Sequence, residues 1–300
     1  MFQKYKHHLL LHFIVLLWGF TGILGKLIHL DFLHIVWNRL LFAVIGLGIY
    51  LFFRQKSLKL SSAKDLFKVC GVGIIIALHW LTFFKAIQLS TASLGILCLS
   101  TTTLHVSWLE PIVMKRKFSW LEFILGLGVI AGIGIVSSDF KPNDYESMCY
   151  GLISALLAAM FAVFNGYLVK TVPSTTMAFY ELLMGYLFLT VFLLVKGELD
   201  HTLFQITVID YLWLLFLGIV CTSFAFLIAI DLTKILGAFT VSLCINLEPV
   251  YTMILAIIIL KENKVLGMQF YLGAFMIVLV LIANPLIKQY LIKRTVEPIN

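Results

Sequence analysis

The chain has 300 residues, 61% of them apolar (AVILMFWYC) and 12% charged, with a net charge of +7 and a mean hydropathy of +1.04. A soluble chain carries about 45–50% apolar and about 25% charged residues, so the composition excludes a soluble enzyme, a disordered chain, a disulfide scaffold and a nucleic-acid-binding domain. At about 20 residues per crossing, ten spans with short loops consume the whole length and leave no soluble domain.

Lys4 and Lys6 precede an apolar stretch too long for a signal-peptide core and without a small-residue cleavage site. It reads as a retained first span at 9–28. Further runs at 33–53, 66–86, 92–113, 120–137, 148–169, 177–195, 210–230, 237–260 and 265–287 bring the expectation to ten. They are continuous rather than alternating, and too long for barrel strands, so they predict helices. Cys70, Cys98, Cys149, Cys221 and Cys244 lie in or at the ends of these runs with no CxxC spacing. They read as small buried apolar residues rather than disulfides or metal ligands.

The basic residues sit in short loops. With the N-terminus inside, fourteen Lys and Arg fall on the cytoplasmic side and six on the other, leaving out Arg39 and Lys68 within spans. The positive-inside rule then puts both termini in the cytoplasm and requires an even number of spans. The expected location is the inner membrane of a bacterial cell.

The polar stretch at 138–147 has five runs on either side. Across it, AIQLSTASLGIL (Ala86–Leu97) aligns with DLTKILGAFTVS (Asp231–Ser242), and Lys115, Glu122 and Gly126 recur at the same spacing as Glu262, Gln269 and Gly273. A five-span repeat starts its second copy on the opposite side of the membrane, so the copies, 1–140 and 141–300, are inverted. Inverted repeats are a device of secondary transporters, with the site near the midplane between the halves.

Polar residues inside the spans mark the candidate site, because charge at membrane depth is costly unless it faces protein or a wet cavity. In the fourth span Cys98, Thr101, Thr102, His105 and Trp108 share one helical face, and Ser100, Thr103, Ser107 and Glu110 roughly the other. In the ninth, Thr240, Cys244, Glu248, Tyr251 and Thr252 share a face beside Ser242, Asn246 and Pro249. Pro249 should break the helix and free the Ile245 carbonyl, which at membrane depth is tolerated only in protein or along a cavity. Pro111 should act likewise near the end of the fourth span. Glu248 ranks first, as a cation- or proton-binding carboxylate or as a structural acid bonded to the broken helix.

Arg39 in the second span and Glu181 in the seventh occupy similar places in the two copies, and read as a gate, a substrate counter-ion or an ion pair. Glu110 adjoins Lys115-Arg116-Lys117, where a salt bridge is expected. His79, Trp80, Trp18, Asn165 and Tyr180 complete the cavity candidates. His8 and His12 have a metal-ligand spacing but no third ligand nearby, so no metal is assigned. Gly128 and Gly132 form a GxxxG that serves either packing within the molecule or a dimer face, and leaves the oligomeric state open. There is no GxxxxGK[ST], HExxH or Ser–His–Asp pattern, so neither catalysis nor a cofactor is expected. Coupling to a proton or ion is compatible with Glu248.

These residues together resemble the EamA-like branch of the drug/metabolite transporter superfamily. The resemblance covers nearly the whole chain and is sharpest in LGAFTVSLCINLEPVYTMILAIIILKENKVLGMQFYLGAFMIVLVLI, through Pro249, Glu262 and Gly273. Trp18-Gly19-Phe20 and Arg39 fit the first repeat. The first half departs from the pattern where Thr102 or a neighbour replaces the mid-span proline, and where Lys115 replaces the acidic residue. The resemblance implies ten helices in two inverted repeats around a central cavity, and movement of a small metabolite across the membrane. An amino acid or related compound, exported, is the expected cargo. A channel-type pore and a non-transporting receptor or assembly subunit are the alternatives.

Overall fold

The computed structural model describes residues 2–60, 62–199, 203, 205–236, 241 and 244–296, and these are helical with no strand. The helices are α1 (Phe2–Leu27), α2 (Phe32–Phe53), α3 (Ala63–Leu89), α4 (Ala92–Leu99), α5 (Thr102–Met114), α6 (Trp120–Val136), α7 (Pro142–Leu168), α8 (Ser174–Lys196), α9 (Val208–Leu215), α10 (Ala225–Leu236), α11 (Glu248–Leu255) and α12 (Met268–Val296). Phe216–Phe224 joins α9 to α10 in π-helical geometry, and Ala256–Leu260 extends α11 in the same way. Among the described residues, seven rods are long and apolar enough to cross a membrane, and Trp120–Val136, Glu248–Leu260 and Met268–Ala283 are shorter apolar helices. The protein is a multi-pass membrane protein.

Helix starts follow from short polar side chains that fill orphan backbone N–H groups. Asp31 accepts from Leu33, Ser62 from Asp65, Thr91 from Leu94, Ser119 from Glu122 and Thr207 from Asp210. Helix ends recur in pairs. Left-handed Gln55 and Gly197 end α2 and α8, while Lys115 and Lys261 end α5 and the α11 rod. These are the described positive-φ residues.

Two apolar runs are broken. The fourth apolar run divides at Ser100–Thr101, between α4 and α5. The ninth turns at Asn246–Leu247 before α11. Pro111 breaks nothing: it lies inside α5, which continues to Met114. The expectation that it would interrupt the span is corrected, because the competing hydroxyls come earlier. Ser100, Thr101, Thr102 and Thr103 each turn their oxygen back onto a carbonyl, of Ile96, Cys98, Leu99 and Ser100 respectively, at 2.6–3.3 Å. Such back-bonding loosens the helical ladder. Pro249, in turn, occupies the first turn of α11, where a missing N–H costs little.

α7 packs on α3 and on α4 and α5, and α1 packs on the α9–α10 rod and on α11. α3 packs on α8 as α2 packs on the π-helical segment. α6 and α12 pair with each other, and a Cβ on Gly132 would meet Ile277 Cγ1 at 2.5 Å and the Gly273 carbonyl at 3.1 Å. The GxxxG face therefore packs within the molecule. The five cysteines are free.

Candidate functional site

A cavity of about 500 Å³ lies among the helices, within the range of small-molecule sites. Its wall is mostly apolar and aromatic, with Trp18, Trp80, Phe83, Phe161 and Phe226. Polar groups enter from both halves: Arg39, His79, Ser100, Thr102 and Thr103 from the first, and Asn165, Glu181, Thr222, Ser223, Asn246 and Glu248 from the second. Both helix breaks open onto it. α6 contributes nothing, and α12 contributes only Leu281, whose carbonyl accepts from Asn246 Nδ2 at 3.2 Å.

Arg39 is buried with its guanidinium carbon 3.7 Å above the centre of the Trp80 ring, a cation–π stack in a dry setting. Its Nε donates to Thr222 Oγ1 at 3.0 Å. Thr222 sits in the π-helical segment, and its own hydroxyl donates to the Leu217 carbonyl at 2.8 Å. π-Helical turns recur at functional sites because they displace a side chain from the regular wheel, and here the displaced hydroxyl fixes the plane of Arg39. Neither terminal nitrogen of Arg39 binds a described residue.

Glu181 accepts from Asn165 Nδ2 at 3.2 Å. Its backbone abuts Gly73 of α3, where no side chain could fit. Arg39 and Glu181 form no ion pair with each other among the described residues. Glu248 opens α11, and its carboxylate makes no hydrogen bond to a described residue. It is near enough to Arg39 to feel its charge. His79 accepts or donates at Ser154, with Nδ1 2.8 Å from the hydroxyl and 3.0 Å from the carbonyl.

The chain matches the EamA-like transporter family twice, over residues 6–138 and 146–284. The chain belongs to the EamA-like transporter family. An uncharacterized transporter of Archaeoglobus fulgidus is 24% identical over 271 residues, covering 86% of this chain and 90% of that protein. An uncharacterized transporter of Bacillus subtilis is 22% identical over 252 residues, 80% of this chain and 78% of its own. A solved crystal structure shares the fold, with a TM-score of 0.63 at 14% identity over 92% of this chain and 96% of that one. This EamA-like chain is thus a membrane transporter, working in the lipid bilayer on a small-molecule substrate.

Of the residues expected in the site of this EamA-like transporter, Trp18, Arg39, His79, Trp80, Thr102, Asn165, Glu181, Asn246, Glu248 and Pro249 line the cavity. Thr101, His105, Tyr180 and Tyr251 do not. Thr101 bonds its own helix, and Tyr180 donates to the Leu58 carbonyl at 3.1 Å. Tyr251 pairs its hydroxyl with His12 Nδ1 at 2.8 Å. Glu110 lies in the last turns of α5, where Arg116 Nη2 bridges it to Glu122 at 2.9 and 2.6 Å. Thr240 and Ser242 lie outside the described residues. Thr222, Ser223 and Thr21 were not anticipated; the signal for the first two is Cys221-Thr222-Ser223 within an apolar run.

Proposed function

We propose that the protein is a secondary transporter carrying an amino acid or related metabolite across the bacterial inner membrane by alternating access. The observation that carries this reading is one cavity walled by eight of the ten predicted spans, apart from Leu281, with charges of both signs facing it. Two inverted five-helix repeats, 1–140 and 141–300, account for the paired helix ends, the paired breaks, the exchanged packing and the two family matches. The loop distribution of Lys and Arg supports cytoplasmic termini.

Export is the direction we favour. At the end away from the termini, three carboxylates beyond residue 140 hold the first repeat: Asp144 accepts from Ser90, Asp210 from the His29 N–H, and Glu262 from Ala92 and Ser93. The opposite end is tied by neutral groups, as in Thr176 to Ser57 and Tyr180 to Leu58. Charge-assisted bonds are about twice as strong, which supports a resting state closed outside and loaded from the cytoplasm.

The test is metabolite profiling of cells overexpressing or lacking the protein, followed by counterflow of the affected solutes in proteoliposomes. Saturable flux with trans-stimulation is expected. Unsaturable conductance would make the protein a channel. No flux, with a co-purifying partner, would make it a receptor or assembly subunit.

A further inference from the structure

Two residues that line the cavity each carry a buried acceptor oxygen with no donor. Glu181 is only 2% exposed, and its Oε1 is sealed from solvent without a hydrogen bond. Oδ1 of Asn165 is in the same condition. Glu181 Oε2 needs a donor, which sets the amide nitrogen of Asn165 against it and turns Oδ1 away. Leaving buried acceptors empty costs free energy that a bound donor recovers. Close backbone contact at Gly73 holds the Glu181 main chain against α3.

The surroundings select the donor. Phe161 lies one turn from Asn165 on α7, and Ala158, Ala162, Ala178 and Leu182 complete this part of the wall. Calcium or magnesium would require about six or more oxygen ligands, and two free acceptors among methyl groups and a phenyl ring cannot supply them. A protonated primary amine brings three N–H donors and a charge that an aromatic face also attracts. We infer that Asn165 and Glu181 form the subsite for the protonated amine of the transported solute.

Arg39 completes the recognition. It is as far into α2 from one end as Glu181 is into α8 from the other, each roughly 10 Å deep at ~1.5 Å per residue. The two charges therefore lie on opposite sides of the midplane. A zwitterion would align with its amine toward the terminus-bearing end and its anionic group toward Arg39.

This inference rests on the carrier reading, and the experiment separates the two. The full-length protein in nanodiscs is titrated with a pool of the twenty standard amino acids and with the same pool after N-acetylation, while binding is followed by the thermal unfolding midpoint. Only the free-amine pool should raise the midpoint. Glu181→Gln and Asn165→Leu should weaken that response by at least about tenfold, because a site built for a donor rejects ligands it no longer matches. Asn165→Asp, which keeps the acceptor, should retain it. Without ligand, Glu181→Gln should unfold at a higher temperature than the parent, which a purely structural carboxylate would not permit. Equal response to both pools, response to neither, or undiminished binding by Glu181→Gln overturns the amine subsite. Counterflow of an amine-free solute would do so while leaving the carrier reading intact. Glu181-dependent amine binding without flux would instead keep the subsite and remove the carrier.

Discussion

Glu262 accepts the backbone N–H of Ala92 at 2.8 Å through one oxygen and that of Ser93 at 3.1 Å through the other. A carboxylate from the loop before α12 thereby caps α4, in the other half of the chain. The helix dipole and two charge-assisted bonds make this a firm closure of that end. Glu262→Ala should lower stability by about 1–3 kcal/mol, the cost of stranding buried donors, as read by thermal unfolding in detergent. It should also loosen the closure. Ser93→Cys, introduced without the native cysteines, should react faster with a membrane-impermeant maleimide when Glu262 is replaced. An unchanged labelling rate would mean that Glu262 only caps the helix.

The α6–α12 pair depends on two glycines whose backbones meet. Any Cβ on Gly132 or Gly273 intrudes on the other helix. Gly132→Val should therefore destabilise the protein by about 1–3 kcal/mol or more through overpacking. Gly134→Ala is the control, since nothing lies within 4 Å of its added carbon; relief of backbone freedom should leave it neutral or slightly stabilising. Comparable losses in the two variants would contradict the packing described.

Much of this was legible in the sequence because membrane burial leaves a strong mark. The predicted runs are helical over most of their described length, with turns at Ser100–Thr101 and at Asn246–Leu247, the latter just ahead of Pro249. The polar residues of the cavity were found by the same logic, since Arg39, Glu181 and Glu248 stand out against lipid-compatible neighbours. A helical wheel failed for the fourth span. It assumed one continuous helix, whereas the break at Ser100–Thr101 turns Thr103 toward the cavity and leaves Thr101 out of it. Thr222 was missed because its position depends on a π-helical segment that no local propensity specifies. Glu262 could be recognised as a family feature, but its partners lie some 170 residues away in sequence.

Arg39 offers a test of the anionic end of the cavity. Lysine would keep the charge but lose both the planar stack on Trp80 and the Nε bond to Thr222. Arg39→Lys should weaken solute binding by about tenfold or more, equivalent to about 1.4 kcal/mol. Thr222→Val should produce part of that loss by freeing the guanidinium to rotate. Binding measured on proteoliposomes with the solute found by profiling discriminates these outcomes, and an Arg39→Lys protein with parental affinity would remove Arg39 from recognition.

Glu248 differs from Glu181 in that its carboxylate accepts no hydrogen bond from a described residue while facing the same cavity. A carboxylate in that position gains most from a mobile cation or proton, because unpaired charge at membrane depth is expensive. When the cavity is solute-free and must reorient, the proton can neutralise it. Glu248→Gln, permanently neutral, should therefore lose the response to a pH gradient, cutting gradient-driven uptake by about tenfold. Counterflow at equal pH on both sides requires no net proton movement and should stay within about twofold of the parent, a change of less than 1 kcal/mol. Proteoliposome flux measured from pH 5.5 to 8 in both modes makes the distinction. Loss of both modes would mark Glu248 as part of solute binding, and retention of gradient-driven uptake would show that coupling runs through another group.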